Sequence, residues 1–350
     1  MNQLEHLLQE HYVNYPELTA QDAVKFLYQR FMGPGHLLTD EAAAAVRLRE
    51  EWDAVRADPS APLFTALGGG LCRLHLGGCK ALGLSPGTVA RLFFLTAQEV
   101  TPDPDGLERA LELVRALPLP PEQVEAYLAA YRAQGLPTVS HSDRFRKCYS
   151  PAYRIVKQYY VNIIPLLAAI DRARDKDARL RVAIDGPCAS GKSTLGKALA
   201  DIYHCPLVHM DDFFLRPEQR TPQRLEQPGG NVDYERFAAE VLAPMVAGED
   251  FSYRPWNCQR QAFDAPVAVP AAPLTVVEGS YCLREDLRDA YALRIWAHAD
   301  WDSRRARLLA RDGEGCLARF EQLWIPLEER YFDAMQVASC CHLSLDLSGR

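Results

Sequence analysis

The sequence predicts two domains in series: an all-α domain over residues 1–175, and an α/β domain over 176–350 with a mostly parallel sheet covered by helices on both faces. Three observations point there. Before residue 170, apolar residues recur at helical spacing; from 180 onward, short β-branched runs alternate with helical patterns. Between them, Asp171 to Arg179 is a charged stretch with few apolar residues, which reads as the end of a helix running into a linker.

In the first domain Ala23, Phe26, Leu27 and Phe31 share one helical face, and Gly33-Pro34-Gly35 stops that helix. Ala44, Val46, Leu48, Trp52 and Val55 repeat the pattern between Asp40 and Asp58. Leu67 to Gly83 is glycine-rich without phosphate-loop spacing and reads as a turn or a close helix packing. Cys72, His75 and Cys79 fit one helical face as a candidate metal set, although their spacing matches no common zinc pattern. Ser140 to Tyr160 interleaves Arg144, Arg146, Lys147, Arg154 and Lys157 with Phe145, Tyr149, Tyr153, Tyr159 and Tyr160. Such a mixture binds phosphates and bases, but more often it forms an ordinary amphipathic face whose long stems cover apolar surface. Ser150-Pro151 is expected to open a helix.

In the second domain the expected strands are 180–184, 206–210, 274–278, 292–297 and 343–347, with helices at 191–203, 234–247, 301–311 and 315–335. The first strand runs into Gly186-Pro-Cys-Ala-Ser-Gly-Lys-Ser193, which fits G-x-x-x-x-G-K-[ST] between a strand and a helix. Glycines let the loop turn its N–H groups inward, and the helix N-terminus adds partial positive charge. Gly186, Ala189, Ser190, Gly191, Lys192, Ser193 and Thr194 are thus the candidate nucleotide-binding residues, with Lys192 on the β- and γ-phosphates and Ser193 on Mg²⁺. Two other strand ends carry acids. Asp211-Asp212 follows 206–210, and one of these carboxylates suits accepting a hydroxyl proton or binding Mg²⁺ through water. Glu278 ends 274–278, placed to steady the metal's hydration shell. Arg304, Arg305, Arg307, Arg311 and Arg319 mark a candidate lid, with Arg307 and Arg311 on one face.

Composition bounds the function. A chain of 350 residues, 48% apolar and 24% charged, suits ordinary globular domains. The net charge of −7 argues against a broad nucleic-acid surface. The first residues lack a signal-peptide pattern, no stretch approaches a membrane span, and ten scattered cysteines suit reduced thiols, so the expected location is the cytoplasm.

Residues 180–340 resemble the uridine kinase and phosphoribulokinase family. The resemblance rests on the phosphate loop, Asp211-Asp212-Phe213-Phe214, Gly230-Asn231-Val232-Asp233-Tyr234, Pro255-Trp256-Asn257, Val277-Glu278-Gly279 and Arg307 to Asp312. It implies transfer of the ATP γ-phosphoryl group to a hydroxyl of a small molecule. Asp211 is then the general base, Asp212 joins Ser193 and Glu278 at Mg²⁺, and Arg307 and Arg311 are lid arginines. Asp233, Phe214, Trp256, Asn257 and Tyr281 then contact the acceptor. Two departures count against uridine. Phe214 stands where the family has tyrosine, and no histidine follows Pro255-Trp256-Asn257-Cys258-Gln259 to read a base. The first 170 residues are similar to helical segments fused to such domains in some bacterial proteins of unassigned role.

The expectation is an ATP- and Mg²⁺-dependent kinase of a small hydroxyl-bearing metabolite, with no membrane partner and with self-association into a homo-oligomer left open. Two alternatives stand beside it: a kinase of a nucleic-acid end or nucleotide-bearing substrate, and a nucleotide-dependent switch whose helical domain binds a protein. The basic–aromatic segment is expected to shape acceptor recognition rather than nucleotide binding.

Overall fold

Helix Ala20–Met32 shows how local sequence builds the first unit of the computed structural model, which describes residues 3–35 and 40–348. The Asp22 carboxylate accepts from the Thr19 amide at 3.0 Å and the Thr19 hydroxyl at 2.8 Å, fixing the N-terminus. The helix stops at Gly33, whose φ is +62°, where a Cβ would fall 2.6 Å from Val100 Cγ1. Its apolar face, with Ala23, Phe26 and Leu27 wholly buried, packs in one core with Leu107, Leu111, Leu128 and Phe145 from other helices. Internal packing divides the chain into two units, Met1–Asp171 and Arg172–Arg350.

The first unit is helical, as expected, with one correction: it is not all-α. It holds an antiparallel sheet of β1 (Phe64–Gly68), β2 (Leu71–His75) and β3 (Tyr153–Lys157), with β2 in the middle. Gly68, Gly69 and Gly70 all have positive φ, so the glycine-rich stretch closes the β1–β2 hairpin. The helix expected from Pro151 is instead β3, because Ile155 and Val156 fit a buried pleat beside β2. Cys72 and His75 lie on β2 and Cys79 on helix Leu76–Leu82, so no single helical face presents them. The Cys72 thiol bonds Gln158 Oε1 at 2.7 Å and His75 Nε2 lies 2.7 Å from the Thr65 hydroxyl; among the described residues no His, Cys, Asp and Glu group is placed to hold a metal ion. The basic residues from 144 to 157 mostly pair locally, Arg144 with Glu17, Arg154 with Glu51 and Lys157 with Glu99, while Phe145 is buried.

The second unit begins with β4 (Leu180–Asp185) and β5 (Leu207–His209). Two small antiparallel ribbons follow, β6 (Phe251–Tyr253) with β9 (Val267–Val269) and β7 (Trp256–Asn257) with β8 (Ala262–Phe263). β10 (Leu274–Glu278), β11 (Leu293–His298) and β12 (Leu343–Asp346) complete a five-stranded parallel sheet ordered β12-β11-β4-β10-β5. β4 and β10 are almost entirely buried, as expected for strands covered on both faces. β10 and β5 lie on one side of β4 and β11 and β12 on the other, which makes the C-terminal end of β4 the switch point of the sheet, where such sheets bind ligands.

Two expected helices are interrupted. The pattern at 234–247 is broken by a π-type turn at Ala238–Leu242, and that at 315–335 by one at Phe320–Trp324. Pro244 and Pro326 follow these turns; each proline lacks an N–H and its ring excludes a regular α-turn before it. No helix of the described residues is long and apolar enough to cross a membrane.

Candidate active site

The phosphate loop runs from the end of β4 into helix Lys192–Tyr203. Gly186 has a φ of +151°, and a Cβ there would stand 1.9 Å from the Ala297 carbonyl oxygen, so β11 presses on the loop too closely for any side chain. Gly191, at φ +103°, ends the loop where the first-turn N–H groups of the helix lack intrahelical acceptors.

Buried groups hold this loop from below. The Asp185 carboxylate accepts from the Gly186 amide at 2.7 Å, the Leu283 amide at 3.0 Å and the Tyr331 hydroxyl at 2.8 Å. Burial pushes this carboxyl up to about 6, with its donors and Lys192 pulling the other way. Glu328 accepts from the Cys188 amide at 2.8 Å, and its other oxygen lies 2.7 Å from the Ser280 hydroxyl, itself 2.9 Å from the Gly186 carbonyl oxygen. Arginines hold the loop by its carbonyls. Arg304 donates to Cys188 O at 2.9 Å, and Arg307 donates to Ala189 O and Ser190 O, both at 3.0 Å, and to Leu347 O at 2.6 Å. Arg307, expected in a lid, is thus placed as a brace of the loop itself. Arg311, one turn on, pairs with Asp312 at 2.8 Å and keeps a side chain 60% exposed.

Lys192 is 7% exposed and donates to the Pro187 carbonyl at 2.9 Å. Across the loop's mouth, Ser193 donates its hydroxyl to Glu278 Oε2 at 3.1 Å. His209 Nδ1 meets the other oxygen of Glu278 at 2.5 Å, and that hydrogen bond raises the imidazole's pKa. Two expected site residues, Ser193 on the loop's helix and Glu278 on β10, therefore meet here, along with His209 of β5, which was not foreseen.

The adjacent acids at the end of β5 differ. Asp211 is open to solvent, yet the protein around it, together with Glu278, Glu328 and Asp212, pushes its carboxyl up to about 6 against the pull of Lys192. Asp212 accepts from the Tyr253 hydroxyl at 3.0 Å, and its carboxyl is raised chiefly by burial. Asp233 is 4% exposed, accepts from Gln219 Nε2 at 2.7 Å and caps helix Tyr234–Phe237 through the Arg236 amide at 3.2 Å.

The remaining acceptor candidates sit on separate elements: Phe214 after β5, Trp256 and Asn257 on β7, and Tyr281 after β10. Phe214 bridges Val232 by its backbone and lies 6.3 Å from the Trp324 ring. Trp256 packs edge-on to Phe263 at 5.2 Å. Asn257 spends its carbonyl oxygen on the Gln259 and Arg260 amides, closing the β7–β8 turn. Tyr281 is 3% exposed and packs 4.8 Å from Tyr331.

A hard oxygen-seeking cation fits the donors at the Ser193–Glu278 pair: a buried carboxylate, a hydroxyl and a second acid nearby. Magnesium keeps several waters and substrate oxygens, so few protein ligands are required. The loop, its strand and its helix define the second unit as a P-loop α/β domain.

No family model matches the chain, and no curated protein matches it. Solved structures similar in fold to the C-terminal half include one described as a possible uridine kinase from Bacillus stearothermophilus, 17% identical over 52% of this chain and 99% of that one, with a TM-score of 0.38. A D-glycerate 3-kinase from Cryptococcus neoformans is 14% identical over 45% and 80% of the two chains, at 0.34. A gluconokinase from Sinorhizobium meliloti 1021 is 16% identical over 49% and 84%, at 0.27.

Proposed function

We propose that the second unit transfers the γ-phosphoryl group of ATP to a hydroxyl of a small metabolite. The observation that carries this reading is the Ser193–Glu278 hydrogen bond at the mouth of the loop that carries Lys192, with the raised carboxyl of Asp211 on the next strand end. Loop amides and Lys192 bind the phosphates, and Arg304 and Arg307 keep the loop's carbonyls turned outward so that its amides face in. Ser193 and Glu278 would hold Mg²⁺, with Asp212 beyond them, and the ion would supply charge neutralisation on the phosphates. Asp211 accepts the proton of the attacking hydroxyl. Arg311 remains a candidate to approach the phosphates on closure. Asp233 orients the acceptor's other hydroxyls through the oxygen that also meets Gln219.

The test is an ADP-release screen of the full chain with ATP and Mg²⁺ over nucleosides, sugars, hydroxy acids and vitamin alcohols. A single acceptor class should raise ADP release well above the basal rate. Basal hydrolysis alone across every class would count against the reading.

A further inference from the structure

The first unit buries a cation, Arg73, that makes no direct ion pair among the described residues. Arg73, in the middle of β2, is 2% exposed. Its guanidinium donates to Gln29 Oε1 at 2.8 Å, lies 3.1 Å from His11 Nε2, and covers the Phe26 and Tyr153 rings at 5.3 and 4.9 Å. Among the described residues no carboxylate pairs with it, and its remaining nitrogen is buried without a partner. A buried cation without a counter-ion is costly, and its field extends through the surrounding low-dielectric interior.

That field reaches a cavity of about 400 Å³, of which Gln29 and Tyr153 form part of the wall. Lys25, Arg47, His141 and Arg154 complete the lining that matters here. Only one acidic side chain, Glu51, lines the same cavity, and it pairs with Arg154 at 2.7 Å. Arg47 is exposed and has no carboxylate partner among the described residues. Lys25 donates to the Val139 carbonyl at 2.9 Å. The Tyr153 wall is firmly built and backed by a buried carboxylate: the Tyr153 hydroxyl takes a bond from Gln29 at 3.0 Å and meets His141 Nε2 at 2.6 Å, while His141 Nδ1 meets Asp22 at 3.1 Å. The protonation of the surrounding groups carries the same sign. Burial and the Arg73 charge push Lys25 down to about 8 and His75 down to about 4, and they also depress His141, whose Asp22 bond resists.

We propose that the cavity is a binding site for a small organic anion, a phosphate ester or carboxylate, held by Lys25, Arg47 and Arg154 against the Tyr153 wall. Its lining residues all belong to the first unit, and its size suits a small metabolite rather than a polymer. It accounts for the two members of the basic–aromatic segment, Tyr153 and Arg154, that face a cavity instead of only closing a core.

The test is calorimetric titration of the full chain with inorganic phosphate and, separately, with acetate at fixed ionic strength. The phosphate loop is itself an anion site, so each titration is repeated on Lys192→Ala. The expected result is one binding step that survives Lys192→Ala. Arg154→Gln or Lys25→Gln should weaken it about tenfold, the size of one lost charge-assisted hydrogen bond, and Arg154→Lys should partly restore it. Preference for phosphate identifies the ligand as a phosphate ester, and preference for acetate as a carboxylate. Circular dichroism and melting temperature show that each variant is folded; Arg47→Gln, at an exposed position, serves if Arg154→Gln is not. Loss of all binding in Lys192→Ala, or binding indifferent to Arg154, Lys25 and Arg47 substitutions, overturns the proposal whatever the outcome for phosphoryl transfer.

Discussion

The two units each bury charge, and the acids under the phosphate loop contrast with Arg73 of the first unit. Under the phosphate loop, both oxygens of Asp185 and both of Glu328 lie at hydrogen-bonding distance from a donor. In the first unit Arg73 is as deeply buried, yet one nitrogen is unpartnered and no carboxylate faces it among the described residues. A satisfied network fixes shape, because every displacement breaks a bond. An unsatisfied one projects its charge onto whatever occupies the space beside it. The first kind suits a loop that must hold its amides in place for phosphates; the second suits a pocket awaiting a counter-ion.

Substitutions can break or sharpen that contrast, and the largest effect is expected at the chemistry. Asp211→Asn should lower kcat by about 10²–10⁴, the usual loss of a general base, with nucleotide affinity nearly unchanged by calorimetry. If Asp212→Asn is the more damaging change, the assignments within the pair are reversed. Lys192→Ala should lower kcat/KM by about 10²–10³ while the protein stays folded, the loss typical of one preorganised charge donor; a folded variant with near-normal kcat/KM would remove Lys192 from the site. The pH profile follows from Asp211. A base must be ionised, and this carboxyl is pushed up to about 6, so kcat/KM should level off above about pH 6 and fall about tenfold per unit below it. A profile flat from pH 5 to 8 contradicts that assignment. Uridine should be a poor acceptor; a micromolar KM with turnover above ~1 s⁻¹ would restore it. The smallest effect is structural: Glu328→Ala leaves the Cys188 amide without its acceptor and should cost about 1–3 kcal/mol, seen as a lowered melting temperature.

The loop, its strand and its helix were legible because their signal is local: a glycine pattern between a β-branched run and an amphipathic one. Glu278 was legible as an acid at a strand end. The contacts that Glu328 and Arg304 make with the loop were not, since each meets Cys188 from more than a hundred residues away and no spacing rule links them. His209 stood beside Asp211 in plain sight, but only the pairing of β5 with β10 brings it to Glu278. The sheet of the first unit was missed for a different reason. Gly68-Gly69-Gly70 between two short alternating runs is a hairpin signal, but helical periodicity dominates the sequence on either side. Arg73 illustrates the limit: its burial depends on helices and strands from across the first unit converging on one side chain.

The fate of the terminal phosphoryl group distinguishes a kinase from a nucleotide-driven switch. Incubation of the full chain with γ-labelled ATP, Mg²⁺ and the acceptor found by the ADP-release screen measures this directly. Label recovered on the organic acceptor, at a rate that rises with acceptor concentration and collapses in Asp211→Asn, is the predicted result. Label recovered only as inorganic phosphate, at a rate indifferent to every acceptor, contradicts phosphoryl transfer and favours a nucleotide-driven switch.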